Sequence, residues 1–403
     1  MTDLQWPVHW EEVPSFGTVS KGVLGIYRHS LEELVAAALR GEQPTAALAP
    51  SAAAHAEFLD FTRRHCLQPI LYARLRNRPD WGCWPQLARE TLAREARRQA
   101  AVDVCREAAV KEALAELVAR GVAPLVIKGT ALAYSHYPQP ACRPRDDTDL
   151  LLRASDRATA AAALADLGYM PMNSVSGELV SYQQIFTSGG PGPLSHVLDV
   201  HWRVLNPQRF AGLLSYDEIA AAAVALPALG PGARAPAAVH ALLLACVHRL
   251  AHHSDGDRLL WLYDIHLLAS GLSPPEHDEL VRLAAEKRVA HLCVAGLSAA
   301  AQWFGPALPE ALLRALTELA AQEPLEDFLR DGATRWHLLR SDLAALDGWR
   351  ARLRLLREHL FPPAAYMLRR YGVSRRWLLP LLYLRRGLSG ATKLLRPIAT
   401  PSP

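Results

Sequence analysis

Asp147 and Asp149 stand two apart, immediately ahead of the apolar run Leu150, Leu151 and Leu152. Side chains alternate along a strand, so this spacing sets both carboxylates on one face and turns Asp146 away. Two carboxylates held together at the mouth of a core strand repel each other unless a cation lies between them. Mg2+ suits such a pair, because it takes hard oxygen ligands and leaves positions open for phosphate and water. The same letters suit a solvated acidic turn, and Asp-x-Asp alone does not separate the two.

A second feature lies just upstream. The apolar residues 122–127 end in Lys128-Gly129-Thr130, and a helix-like segment follows to Tyr137. A strand that ends in Gly and opens a helix exposes backbone N–H groups that suit an anion such as a triphosphate. Gly129 permits close approach, Thr130 can cap the helix and donate a hydroxyl, and Lys128 adds charge. GxxxxGK[ST] is missing, so this is no P-loop, and an ordinary strand-to-helix turn has the same letters. Downstream, residues 181–204 read as a hairpin around the Gly/Pro turn 188–193. Its second strand puts Leu198, Val200, Trp202 and Val204 on one face and Val197, Asp199, His201 and Arg203 on the other. Asp199 thereby becomes a third carboxylate, and three can hold two metal ions bridging an attacking and a leaving oxygen.

Gly129-Thr130, then Asp147-x-Asp149, then Asp199 on a later strand resembles the DNA-polymerase-β-type nucleotidyltransferase superfamily, whose pattern is Gly-Ser, Asp-x-Asp and a third acid. The text LVIKGTAL…YP…CRPRDDTDLLL…LGY…LDVHWRV is closer still to a poorly characterised bacterial nucleotidyltransferase family within it. The likeness covers roughly residues 120–205. Thr130 replaces the usual Ser and keeps the hydroxyl, whereas Arg145 and Asp146 are departures. The resemblance implies an α+β fold, a small mixed sheet with helices, flanked by N- and C-terminal helical regions. It implies Mg2+ at Asp147, Asp149 and Asp199, with a two-metal site. It also implies an NTP held by Lys128, Gly129 and Thr130, with Arg143 on phosphate or ordering the aspartate strand. A helix of the type at 237–268 lines the acceptor pocket in that family, which makes His248 and Asp264 acceptor-side residues beside His201 and Arg203.

The elements around this centre read as helices. Residues 31–39 stop at Arg40-Gly41, Ser51 caps 52–64, and 67–76 continues after a kink near Pro69. A long helix from Trp84-Pro85 to Leu117 carries an apolar stripe of Val102, Cys105, Ala109, Ala113, Leu114 and Leu117. Arg89, Arg94, Arg97 and Arg98 form its other side, a solvated face or a nucleic-acid contact. Ser155 caps a helix that Gly168 ends, and helices resume from Ser215, broken by Pro/Gly clusters. The chain of 403 residues then divides into an N-terminal helical region (1–118), the core (119–206), a helical acceptor-side domain (207–349) and a basic amphipathic tail (350–403).

His248 and His252 lie four apart and share a helix face, near His240, His253, Asp255, Asp257 and His266. That pattern admits a metal-dependent phosphohydrolase, though the adjacent His-Asp pair such enzymes carry is missing. The tail holds twelve Arg or Lys and one acid, Glu358, against +4 for the whole chain. Its Arg pairs alternate with apolar and aromatic residues, which suits docking on the acidic body, an anionic membrane surface or nucleic acid. Six scattered cysteines without CxxC suggest reduced thiols. The N-terminus lacks a basic and apolar leader and no apolar run reaches ~18 residues, so a cytoplasmic protein without a transmembrane segment is expected. The function expected is Mg2+-dependent transfer of an NMP, AMP by default, to a hydroxyl-bearing acceptor with release of pyrophosphate. The alternatives are a catalytically silent NTP-binding scaffold and a toxin-like enzyme that modifies tRNA or protein.

Overall fold

The computed structural model describes residues 21–394 except 43–47, 49–50, 173–174, 176, 190–194, 253–257 and 324–333, with backbone alone at 21–30, 252 and 391–393. Helix ends fall where the local chemistry puts them. α1 (Lys21–Arg40) closes at Gly41, whose φ is +80°. α2 (Ala52–Arg64) opens on Ser51, whose hydroxyl accepts the Ala54 N–H, a cap of about 1 kcal/mol. The chain then breaks ahead of Pro69: Cys66 takes φ +58° and α3 (Gln68–Leu75) starts afresh with the proline in its first turn.

α4 (Gln86–Ala119) keeps its expected apolar stripe only near its end, where Ala113, Leu114 and Leu117 are buried. Cys105 is exposed, and the buried face in mid-helix is Asp103, Arg106 and Val110. The cause is tertiary. Asp103 and Arg106 meet the loop that carries the aspartates, and Arg145 of that loop pairs with Asp103 at 2.5 Å.

The central elements follow as β1 (Leu125–Ile127), α5 (Lys128–Ser135), β2 (Thr148–Leu151), α6 (Arg157–Asp166), β3 (Met170–Pro171), β4 (Gln183–Ser188) and β5 (His196–His201). The region after Ser215 is less purely helical than its pattern suggests. Beyond α7 (Tyr216–Ala221), β6 (Val224–Ala225) and β7 (Arg234–Ala235) frame the Pro/Gly cluster and extend the sheet. Among the described residues the sheet has seven strands in the order β3-β4-β5-β2-β1-β7-β6. It is mixed: β1 runs antiparallel to β2 and parallel to β7, while β2 and β5 are parallel.

Alternation divides the sheet chemically. Val126, Leu150, Leu198 and Val200 pack on α4 and α6 through Val110, Ala113, Leu114, Leu117, Ala160 and Leu164. The other face contributes Leu125, Ile127 and Leu151 to a larger core shared with α1–α3 and the following helices. These are α8 (Ala238–His252), α9 (Leu259–Ser270), α10 (Pro274–Lys287), α11 (Ala290–Phe304) and α12 (Glu310–Gln322). The chain ends in α13 (Arg335–Ala344), α14 (Gly348–Leu360), α15 (Ala364–Arg370) and α16 (Leu379–Leu394). The architecture is α+β, as expected. No helix among the described residues is long and apolar enough to cross a membrane.

Candidate active site

Strand register builds the site. β2 and β5 are parallel with Asp149 opposite Asp199, so the two carboxylates project side by side from one face. His201, two residues on, shares that face. One ligand atom from each of Asp149, Asp199 and His201 lies within 4.8 Å of the others, and all three residues are buried. His201 Nε2 is 2.8 Å from Asp149 Oδ1 and 3.5 Å from Asp199 Oδ2. Lys128 Nζ donates to the same Asp149 oxygen at 2.7 Å. Lys128 reaches it from a backbone φ of +51°, a left-handed conformation that side-chain-bearing residues rarely adopt.

The electrostatics are those of crowded carboxylates. Burial pulls Asp149 upward, but Lys128 and His201 outweigh it and hold Asp149 below the usual carboxylate range. Asp147 is half-buried one residue ahead of β2 and stands outside the close cluster. Burial and the neighbouring Asp149 charge push it to about 7, against the pull of Lys128. Burial also raises Asp199, with Asp149 adding to it and His201 opposing. Gln183 Nε2 donates to Asp199 Oδ2 at 2.7 Å, while Asp199 Oδ1 is buried without a hydrogen-bond partner. Gln183 is itself held by Asn206 Nδ2 at 2.8 Å, and Asn206 Oδ1 accepts the Tyr182 N–H at 2.8 Å. Hard oxygen donors, an imidazole, an orphaned buried oxygen and one local lysine against three acids fit a divalent cation. The structure thus groups His201 with Asp149 and Asp199, whereas the sequence pointed to Asp147 as the third ligand and to His201 as an acceptor contact.

The remaining residues singled out in the sequence fall in several places. Gly129 is buried in the first turn of α5, and an added Cβ there would collide with Arg143 Nη1. Thr130 is fully buried, and its hydroxyl lies 3.4 Å from the Asp147 carbonyl and from Thr148 Oγ1. It therefore ties the helix start to the aspartate loop from below. Arg143 is clamped by Asp264 of α9, with Nε donating to Oδ1 at 2.9 Å and Nη2 to Oδ2 at 2.6 Å. Tyr137 donates to the same carboxylate at 2.7 Å. Asp264 thus meets the aspartate loop through Arg143. Arg203 is exposed past the end of β5, with its guanidinium 4.6 Å from the Tyr182 ring centroid. His248 is half-buried on α8. His253, Asp255, Asp257 and the side chain of His252 lie outside the described residues. Among the described residues, Asp149, Asp199 and His201 form the one such group that could hold a metal.

Three features escaped the sequence reading. Gln183 and Asn206 carried no signal beyond their place in a hairpin and after it. Arg145, seen as a departure from the motif, is a buried anchor to Asp103 with its guanidinium 5.4 Å from the Tyr134 ring centroid. His196 lies under the site between Thr148 Oγ1 at 3.2 Å and Tyr169 OH at 2.6 Å, and burial drives it down to about 4.

No curated protein matches this chain. Residues 51–305 match a family described as uncharacterised nucleotidyltransferase, a span that takes in the sheet, the aspartates and helices α2–α11. With its mixed sheet and Asp-Asp-His cluster fitting a polymerase-β-like core, the chain belongs to that nucleotidyltransferase family.

Proposed function

We propose that this protein transfers an NMP from an NTP, with ATP as the default donor, to a hydroxyl-bearing acceptor in a Mg2+-dependent reaction. The observation that carries the reading is the in-register pair Asp149 and Asp199 on adjacent parallel strands, beside the start of α5. Asp149 and Asp199 would hold the metal, with His201 and Asp147 at its margin. When bound, Mg2+ supplies charge neutralisation to the triphosphate and to the developing oxyanion. The backbone N–H groups at the start of α5 and the Lys128 ammonium would hold the β- and γ-phosphates. Arg143, fixed by Asp264, fills the space beside Gly129.

In the reaction the acceptor oxygen forms a bond to the α-phosphorus as the bond to the α–β bridging oxygen breaks. Pyrophosphate leaves, and the hydroxyl proton would pass to a carboxylate; the unpartnered Oδ1 of Asp199 supports that residue in the role. Catalysis would rest on positioning and charge neutralisation. The acceptor would enter on the side of α8, where His248 lies half-buried; Asp264, expected as an acceptor contact, is instead buried and taken up by Arg143 and Tyr137.

The test is incubation of the purified chain with Mg2+, each α-labelled NTP and a lysate separated into small molecules, RNA and protein. Label in one fraction, lost with Asp149→Asn and with Asp199→Asn, would establish the transfer and name the acceptor class. Label that persists in both variants, or no label with no NTP binding by calorimetry, would overturn it.

A further inference from the structure

The last helices turn apolar side chains outward in a regular pattern. Leu381, Leu384 and Leu388 of α16 follow at steps of three and four residues, the spacing of a single helix face, and Trp377 stands in the tight turn that opens the helix. Trp377, Leu381, Leu384 and Leu388 are 71%, 59%, 60% and 65% exposed. The inward side of α16 is already engaged: Leu382 is buried, Tyr383 OH donates to the Pro362 carbonyl at 2.8 Å, and Arg386 Nε to the His359 carbonyl at 3.1 Å. The outward stripe is therefore a second apolar face. α14 repeats the device with Trp349, Leu353 and Leu360, and Phe361 at its end has its ring 5.5 Å from that of Tyr383. This contact sets the exposed end of α14 beside the middle of α16.

The charge along these helices is mostly of one sign, with Asp347 at the start of α14 and Glu178, paired with Arg354, at its margin. Arg350, Arg352, Arg357, Arg375, Arg376 and Arg385 are exposed. Glu358, the one acid between residues 348 and 394, is taken up by Arg354 at 3.1 Å and by the core. Its carboxylate accepts the backbone N–H groups of Glu178, Leu179 and Val180 at 3.1, 2.8 and 2.9 Å. An added Cβ at Gly177 would collide with it. Exposed Trp and Leu at helical spacing, ringed by arginine, match the chemistry of a helix lying in the interface of an anionic bilayer. A nucleic-acid groove has no use for a leucine stripe, and a second copy of the same face would meet it with like charge.

We propose that the module of α14, α15 and α16 is a peripheral docking surface for an anionic phospholipid bilayer. Through Glu358 it is fastened to the segment that leads within three residues to Gln183, the residue that holds Asp199. The docked module is thereby joined to the strand that positions Asp199.

The test is flotation of the full chain with vesicles of phosphatidylcholine alone and of phosphatidylcholine with phosphatidylglycerol. Binding should favour the anionic vesicles by about tenfold or more and weaken as salt is raised. The triple variant Trp377→Ser/Leu381→Ser/Leu384→Ser and the triple variant Arg375→Gln/Arg376→Gln/Arg385→Gln should each lose about tenfold. Both should keep the wild-type circular dichroism spectrum, since the altered side chains are exposed. Equal binding to both vesicle types, no binding, or full binding by the serine variant would overturn the proposal. So would a single-stranded RNA bound in place of vesicles, or self-association in light scattering that the serine variant abolishes.

Discussion

The chemistry of the site rests on how few side chains hold Asp199 in place. Gln183 occupies one of its oxygens and leaves the other bare, so the carboxylate has a fixed direction before any ligand arrives. Gln183→Leu should therefore reduce nucleotidyl transfer by about 10–100-fold, the usual cost of removing a partner that orients a metal ligand. The Mg2+ concentration for half-maximal transfer should rise with it, which a purely structural role would not produce. Lys128 acts on the neighbouring carboxylate in the same way. Lys128→Met should lower transfer by about 100-fold, while calorimetry still detects Mg2+ binding. That Asp149 and Asp199 sit on strands and that Lys128 opens a helix was legible in the sequence, because acid spacing at a strand mouth and a cation at a strand-to-helix turn are local patterns; Asp147, expected among the ligands, stands outside the cluster. Gln183 was not legible, since a glutamine in a hairpin acquires its meaning only from the strand opposite it.

Between elements, the aspartate loop is held by two buried ion pairs from distant helices. Arg143 is clamped by Asp264 of α9, and Arg145 pairs with Asp103 of α4. Removing one partner leaves an uncompensated buried charge. Asp264→Ala should cost about 3–5 kcal/mol of stability in urea unfolding. The double variant Arg143→Met/Asp264→Leu should cost less than the sum of the single changes. Strictly additive losses would mean that the two side chains do not act as one unit. These pairs also explain why the apolar stripe drawn along α4 fails in mid-helix. Periodicity treats a buried face as apolar, and here the buried face is a charged one that answers Arg145.

Across the whole molecule, the basic C-terminal helices are joined to the core by acids. Glu358 fills the row of N–H groups at residues 178–180, and Asp342 of α13 accepts the Gln208 N–H at 2.6 Å. Burial lifts the Asp342 carboxyl to about 6 from its ordinary 3.8. The folded chain thus binds that proton more tightly than the unfolded chain. Stability rises as pH falls from about 6 to about 4, and the burial penalty is felt in full above pH 6. Asp342→Asn keeps one acceptor oxygen for the backbone N–H groups of Gln208 and Arg209 and removes the charge. Its Tm should exceed that of the wild type at about pH 7.5, and the two should converge near pH 4. A Tm difference that does not change with pH would refute this account.

The sequence by itself determined the family pattern, the strand that carries Asp149, the later strand that carries Asp199, the caps at Ser51 and Gly41, and the separation of a basic tail. All of these depend on residues close together in the chain, where side-chain alternation and backbone preference act directly. Only the tertiary structure decided that His201 joins the acids, that Asp264 reaches the aspartate loop through Arg143, and that β6 and β7 extend the sheet. Those outcomes depend on register between strands and on charges buried across helices. Neither leaves a local trace, because the partner that gives each residue its role lies from about fifty to more than a hundred positions away.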